Sequence, residues 1–392
     1  MPISRAIAGQ MERASWIRRM FEIGIQLRRE RGAANVFDFS LGNPEVEPPE
    51  AILDALGRVV NAKRPHSHGY MPNAGYPEVR EIIARGLAGR TGVPFAWEDV
   101  IMTSGAAGAI NTVLKSILDP GDEVIVLKPY FPEYLFYIEN HGGRVVLVET
   151  GERFQPEVAR IAAAITPRTK AIVLNSPNNP TGAVYSAGVL RDLDELLPDH
   201  VLAISDEPYR TLMFDGLQAP DVAAHVRRCV VAWSWSKAMA LPGERIGYLA
   251  ISPRLAEAAA LRNACTFANR ILGYINAPAI WQWTVAQAPD AAVDVRPYQE
   301  KRDLLCDALT RMGYEAQRPQ GSFYVFPKTP VPDDVAFIGM LQQEGILAVP
   351  GTGFGRPGYM RLSLTIAREE LVRSLAGFER ALRNVSRPVG AQ

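Results

Sequence analysis

The chain has 392 residues, 47% apolar and 21% charged, which are globular proportions that exclude general disorder. Lys+Arg and Asp+Glu both number 42, so the basic excess of a nucleic-acid binder is missing. Three scattered cysteines, Cys229, Cys265 and Cys306, fit neither a disulfide framework nor a metal site and point to a reducing cytoplasm.

The first thirty residues are rich in Arg but hold Glu12, Glu22 and Glu30 and no apolar core, so no secretory or organellar leader is expected. Ile17, Met20, Phe21 and Ile25 recur at helical spacing, as in an arm packed on its own domain or around a second copy. Val100–Met102 is a strand, and Thr103-Ser-Gly-Ala-Ala-Gly108 opens a helix with Ile110, Val113, Leu114, Ile117 and Leu118 on one face. Asp119-Pro-Gly-Asp122 stops that helix. Short β-branched runs follow at 123–127, 144–148, 170–174, 201–205, 229–233 and 246–251, mostly apolar throughout, as in strands buried on both faces. The uncharged stretches 171–190 and 271–289 are interrupted by Asn, Gln and Pro and make poor membrane spans. Beyond about residue 290 the texture changes. A helix around 298–312 leads to strands at 323–326 and 359–364, then to a helix with Leu371, Leu375, Phe378 and Leu382 on one stripe.

The pattern is α/β: a large domain with a mainly parallel central sheet flanked by helices, and a smaller α+β domain. The expected division is an N-terminal segment, 1–48, joining the small domain; a large domain, 49–290; and a small C-terminal domain, 291–392.

Ligands on such sheets gather at the carboxyl ends of strands, and four polar clusters fall there. Lys237, one of only seven lysines, stands in Ser234-Trp-Ser-Lys237 with Arg245 close behind, a candidate amine nucleophile, although a solvated surface charge reads the same way. Asn175-Ser-Pro-Asn-Asn-Pro-Thr-Gly182 presents Asn179 on a loop pinned by Pro and Gly, although a plain turn reads the same way. Asp206, in Ser205-Asp-Glu-Pro-Tyr209, is poised for a cation or, more blandly, a helix cap. The small residues at 104–108 let backbone N–H groups approach a phosphate, yet lack the spacing of dinucleotide or nucleoside-triphosphate loops.

Taken in order, Ser104-Gly-Ala, Pro129-Tyr-Phe131, Asn179-Pro-Thr-Gly182, Asp206-x-x-Tyr209, Ser234-x-Ser-Lys237, Arg245 and Arg361 resemble the class I/II aminotransferases, of the fold shared with aspartate aminotransferase. The resemblance runs from about Phe39 to Leu382 and implies pyridoxal 5'-phosphate as cofactor, no metal, and a homodimer with shared active sites. It implies that Lys237 forms the internal aldimine and then acts as general base and acid, while Asp206 keeps the pyridine nitrogen protonated. Asn179 and Tyr209 would bond the ring's 3-oxygen, and Phe131 would stack on the ring. The phosphate would rest on the backbone of Ala106 and Ala107, with Ser234, Arg245 and a neighbouring subunit's Tyr70. Gly42, in Leu41-Gly-Asn-Pro44, Asn179 and Arg361 would bind the substrate, Arg361 through a bidentate grip on the α-carboxylate.

Departures concern detail. Glu244 stands where relatives often have Trp, and the phosphate loop has Ala where several carry Thr or Lys. Arg270 is a candidate for recognising a side-chain carboxylate, beside its reading as a surface arginine. The resemblance implies transfer of an amino group from an L-amino acid to a 2-oxo acid. A carbon–sulfur β-lyase on the same scaffold would use the same motifs. An aminotransferase-like regulator would need a DNA-binding domain ahead of residue 39, for which there is no room.

Overall fold

The computed structural model describes residues 3–12 and 16–385, without the side chains of Glu12, Ile17, Arg18 and Phe21. Along the chain the strands are β1 Phe37–Asp38, β2 Val100–Thr103, β3 Glu123–Lys128, β4 Arg144–Glu149, β5 Thr169–Asn175, β6 Leu202–Asp206, β7 Cys229–Ser234, β8 Gly247–Ile251, β9 Tyr324–Val325, β10 Ile346–Leu347, β11 Val349–Pro350 and β12 Met360–Ser363.

Seven of them form the large sheet in the order β2-β8-β7-β6-β5-β3-β4. Neighbours among β3 to β7 run parallel and only β8 is reversed, pairing antiparallel with both β2 and β7. The apolar runs explain this arrangement, because both faces are covered. Ile172 and Leu174 of β5 enter the core on one face, and Ala171 and Val173 enter the core on the other. Edge strand β4 departs from the expectation of two buried faces: Arg144 is exposed and Leu147 is 45% exposed, whereas β2 at the opposite edge is buried throughout. The helix opened by the small residues spans Gly105–Ile117 and ends where Asp119 N–H donates to Asp122 Oδ2 at 2.8 Å. Among the described residues no helix is long and apolar enough to cross a membrane.

A second core gathers Met20 and Phe39 from the N-terminal region with Tyr298, Phe323, Phe337, Leu371 and Phe378. Strand β1 pairs parallel with β10, while β11, β12 and β9 form a small antiparallel sheet. The chain after β1 is stitched to this region: Ser363 N–H donates to Phe39 O at 2.9 Å and Thr365 Oγ1 to Leu41 O at 2.9 Å. Across the two cores, Lys128 and Arg356 share the Glu149 carboxylate at 2.6 and 2.9 Å. Within the N-terminal helix Trp16–Arg31, Met20 is buried and Ile25 is 38% exposed, whereas the Ile17 and Phe21 side chains lie outside the described set.

Candidate active site

Three adjacent strands end in polar residues at one edge of the large sheet: Asn175 on β5, Asp206 on β6 and Ser234 on β7. The register sets Asn175 beside Asp206, and Asn175 Nδ2 donates to the Asp206 carbonyl at 2.9 Å. After Ser234 the chain turns into the single helical turn Trp235–Ala238, capped by Ser234 Oγ, which accepts from Ser236 N–H at 3.1 Å. That turn carries Lys237 into a cleft lined also by Ala106, Ala107, Phe131, Asn179, Asp206, Tyr209, Ser234 and Arg245.

Lys237 Nζ donates to the Gly42 carbonyl at 2.5 Å. Burial first, then the Arg361 and Arg245 cations, lower its ammonium to about 8. An amine so placed releases its proton far more readily than a surface lysine. Asp206 is buried; one carboxylate oxygen accepts from the Tyr134 hydroxyl, and the other, Oδ1, is buried with no hydrogen-bond partner. Burial pushes this carboxyl up to about 7, with the Tyr134 hydrogen bond opposing and the Glu207 charge adding to the rise. An unpartnered acceptor in such a place is completed by a donor, best a protonated nitrogen. The side chain makes no helix cap.

At the cleft floor the helix Gly105–Ile117 begins, so its first N–H groups have no partners within the helix. Gly105 adopts φ 69°, and a β-carbon built there would lie 2.9 Å from Arg245 Nη2 and 3.5 Å from Ser234 Oγ. Arg245 is held by the carbonyls of Pro242 at 2.9 Å and Ser104 at 3.3 Å. A helix N-terminus, a hydroxyl and a guanidinium thus surround a space that only glycine leaves open, a combination suited to a phosphate.

Arg361 is 1% exposed, so it is no solvated surface arginine. Its Nη1 donates to Asn179 Oδ1 at 3.0 Å and its Nη2 to the Ser40 carbonyl at 2.7 Å, while its Nε is buried without a partner. The guanidinium lies against the rings of Tyr324 and Phe354, 4.3 and 4.9 Å from their centroids. Among the described residues no carboxylate pairs with it. A buried guanidinium without a counter-ion is matched to an anion from outside the chain.

Two of the singled-out residues are not gathered in. Tyr70 is 89% exposed and does not line the cleft. Arg270 is exposed on the helix Ala258–Ile271, over the Phe267 ring at 5.5 Å. Conversely, Tyr134, Tyr137 and Ser236 line the cleft without having been singled out for it. Phe131, Tyr134 and Tyr137 recur every third residue, a one-faced aromatic pattern that was the available signal but that also describes ordinary core.

A family model described as aminotransferase class I and II matches residues 34–377. The aspartate/prephenate aminotransferase of Thermus thermophilus is 37% identical over 91% of this chain and 93% of its own. An amino transferase structure from Eubacterium rectale superposes with a TM-score of 0.95 at 35% identity, covering 99% of this chain and 100% of that one. The Thermus thermophilus aspartate aminotransferase structure with maleate gives 0.88 at 34% identity, over 97% and 100%.

Proposed function

The chain belongs to the class I and II aminotransferases, enzymes of amino-group transfer, and from that premise we propose that pyridoxal 5'-phosphate is its cofactor and that the cleft around Lys237 is where it works. The observation that carries this reading is the buried, unpartnered Asp206 Oδ1 on the wall of the cleft that Lys237 enters. The residues fit the group: the Gly105–Ile117 helix start with Ser234 and Arg245 suits its phosphate, Asp206 its ring nitrogen, Asn179 and Tyr209 its ring oxygen, and Phe131 its face. When bound, the cofactor supplies an aldehyde that joins amines and a ring that withdraws electrons.

The protein's part is binding, orientation and proton movement. Arg361 fixes the plane of the amino acid's α-carboxylate, with Asn179 and the Gly42 segment closing around it. Asp206 holds a proton on the ring nitrogen, its own carboxyl drawn back down once a cation faces it. Lys237, whose amine gives up its proton more readily than a surface lysine, takes a proton at Nζ from the substrate carbon and returns it on the other side of the reaction. Ala106 and Ala107 bring backbone N–H groups and no side-chain hydroxyl to the phosphate. Tyr70, standing free of its own chain's cleft, is assigned to the phosphate of a second copy in a homodimer, an arrangement supported by the exposed Phe267 and Ile271. Three buried, free cysteines suit a reducing cytoplasm.

The β-lyase alternative is not favoured, because the relative and the structures compared above are named aminotransferases. The names of the relatives make aspartate as donor and prephenate as acceptor the first pair to try. The test is to load the protein with pyridoxal phosphate and supply an amino acid without an oxo acid. One equivalent of oxo acid per site is expected, with turnover resuming on addition of an oxo acid. Sustained ammonia release without an oxo acid would overturn the reading.

A further inference from the structure

Tyr324 was not among the residues the sequence singled out, yet its side chain touches three that were. It lies on β9, paired with Ser363 of the strand that carries Arg361, and is buried. Its hydroxyl stands 3.4 Å from the Tyr209 hydroxyl, with the two rings 5.7 Å apart at 72°. Its ring lies 4.3 Å from the Arg361 guanidinium carbon. A β-carbon built on Gly42 would collide with the Tyr324 hydroxyl, so glycine at 42 is what allows the loop bearing the Lys237-accepting carbonyl to close over this ring.

Two hydroxyls facing each other share a single proton between them, and the direction of that sharing has consequences. If Tyr209 donates to Tyr324, its proton is unavailable to any other acceptor. If Tyr324 donates to Tyr209, the Tyr209 proton is free to point into the cleft, and the donation it receives strengthens the bond it makes. A negatively charged oxygen beside Tyr209 selects the second arrangement, because hydrogen bonds to a charged acceptor are about twice as strong as neutral ones.

We propose that the Tyr324 hydroxyl is a positioning group: by donating to Tyr209 it aims the Tyr209 proton at the cofactor's ring oxygen, tying the substrate-gripping strand to the cofactor site. This rests on the pyridoxal-phosphate reading given above. The donor steadies the ring oxygen's negative charge most when Lys237 Nζ beside it carries no proton to offset that charge. Losing the donor would therefore favour the protonated form of the imine nitrogen that Lys237 would make with the cofactor's aldehyde.

The experiment compares wild type, Tyr324→Phe, Tyr209→Phe and the double variant, each loaded with pyridoxal phosphate. The readout is the pH midpoint of the near-visible absorbance change, alongside kcat and KM. Tyr324→Phe keeps the ring on Arg361, so KM for the amino acid should change little. The midpoint should move to higher pH, and kcat should fall by about two- to tenfold, the worth of one hydrogen bond. In the Tyr209→Phe background the same change should do almost nothing, since the group it orients is gone. An unmoved midpoint in Tyr324→Phe, or effects of the two substitutions that simply add, would overturn the assignment while leaving the cofactor reading intact. A pH-independent band in wild type would likewise overturn the assignment alone, and wild-type protein with no near-visible band at any pH would overturn both.

Discussion

Replacing Asp206 with asparagine in cofactor-free protein tests the electrostatics of the site apart from catalysis. The side chain is 6% exposed, and its carboxyl is raised from the usual 3.8 to about 7, chiefly by burial. Between those two pH values the folded protein holds a proton that the unfolded chain has already released. Folding stability therefore falls as pH rises through this window, by about 1.4 kcal/mol per unit and about 4 kcal/mol in all. Asparagine keeps the acceptor for Tyr134 and cannot ionise, so its stability lacks this decline. Urea unfolding of both cofactor-free proteins from pH 3 to pH 8 should show the variant gaining on wild type by roughly 4 kcal/mol between about pH 4 and pH 7, with little further change above. A constant offset, whatever its sign, belongs to the exchange of O for NH2 and does not bear on the argument. Adding pyridoxal phosphate should stabilise wild type more than the variant, because only the carboxylate can pair with a protonated ring nitrogen. A stability difference independent of pH would refute the reasoning.

Lys237→Ala should retain cofactor, seen by absorbance titration, and lose transaminase turnover by about 100-fold to 10,000-fold or more. In cofactor-free wild type, amine-selective labelling of Lys237 followed by mass spectrometry should rise with a midpoint near pH 8, well below that of an ordinary lysine. Arg361→Lys trades a two-pronged donor for a point charge, so kcat/KM should drop for every amino donor by a similar factor, on the order of 30- to several-thousand-fold, equivalent to about 2–5 kcal/mol. A loss confined to acidic donors would instead make Arg361 a side-chain selector. Tyr134→Phe leaves both Asp206 oxygens without a side-chain donor; weaker cofactor binding by roughly tenfold is expected, measured by equilibrium titration.

Much of the architecture was legible because its signals are local. Continuous apolar β-branched runs such as 171–174 mark strands covered on both faces, and Asp119-Pro-Gly-Asp122 carries its own stop signal. Asn179, Asp206, Ser234 and Lys237 stand at or just beyond strand ends, where a buried sheet hands the chain to its ligand edge, and the structure gathers all four in one cleft. Tyr134 and Tyr324 were not legible, because an aromatic residue in an apolar run reads as core until its partner is known. Their partners, Asp206 and Tyr209, lie 72 and 115 residues away. The exposure of Leu147 was hidden for a similar reason: the β4 sequence says strand, but what covers each face is supplied by other parts of the chain.

The span of chain between interacting groups also orders events during synthesis. Every strand of the large sheet has been made by Ile251, and the Gly105–Ile117 helix start, Ser234 and Arg245 have been made by then too. The Ser40 carbonyl must wait 321 residues for the Arg361 guanidinium, and β1 cannot pair until β10 emerges from the ribosome. Contacts this distant carry the largest loop-closure cost and form late. On the proposed reading, the residues assigned to the phosphate are therefore all made more than a hundred residues of translation before Arg361, the residue assigned to the amino acid's carboxylate.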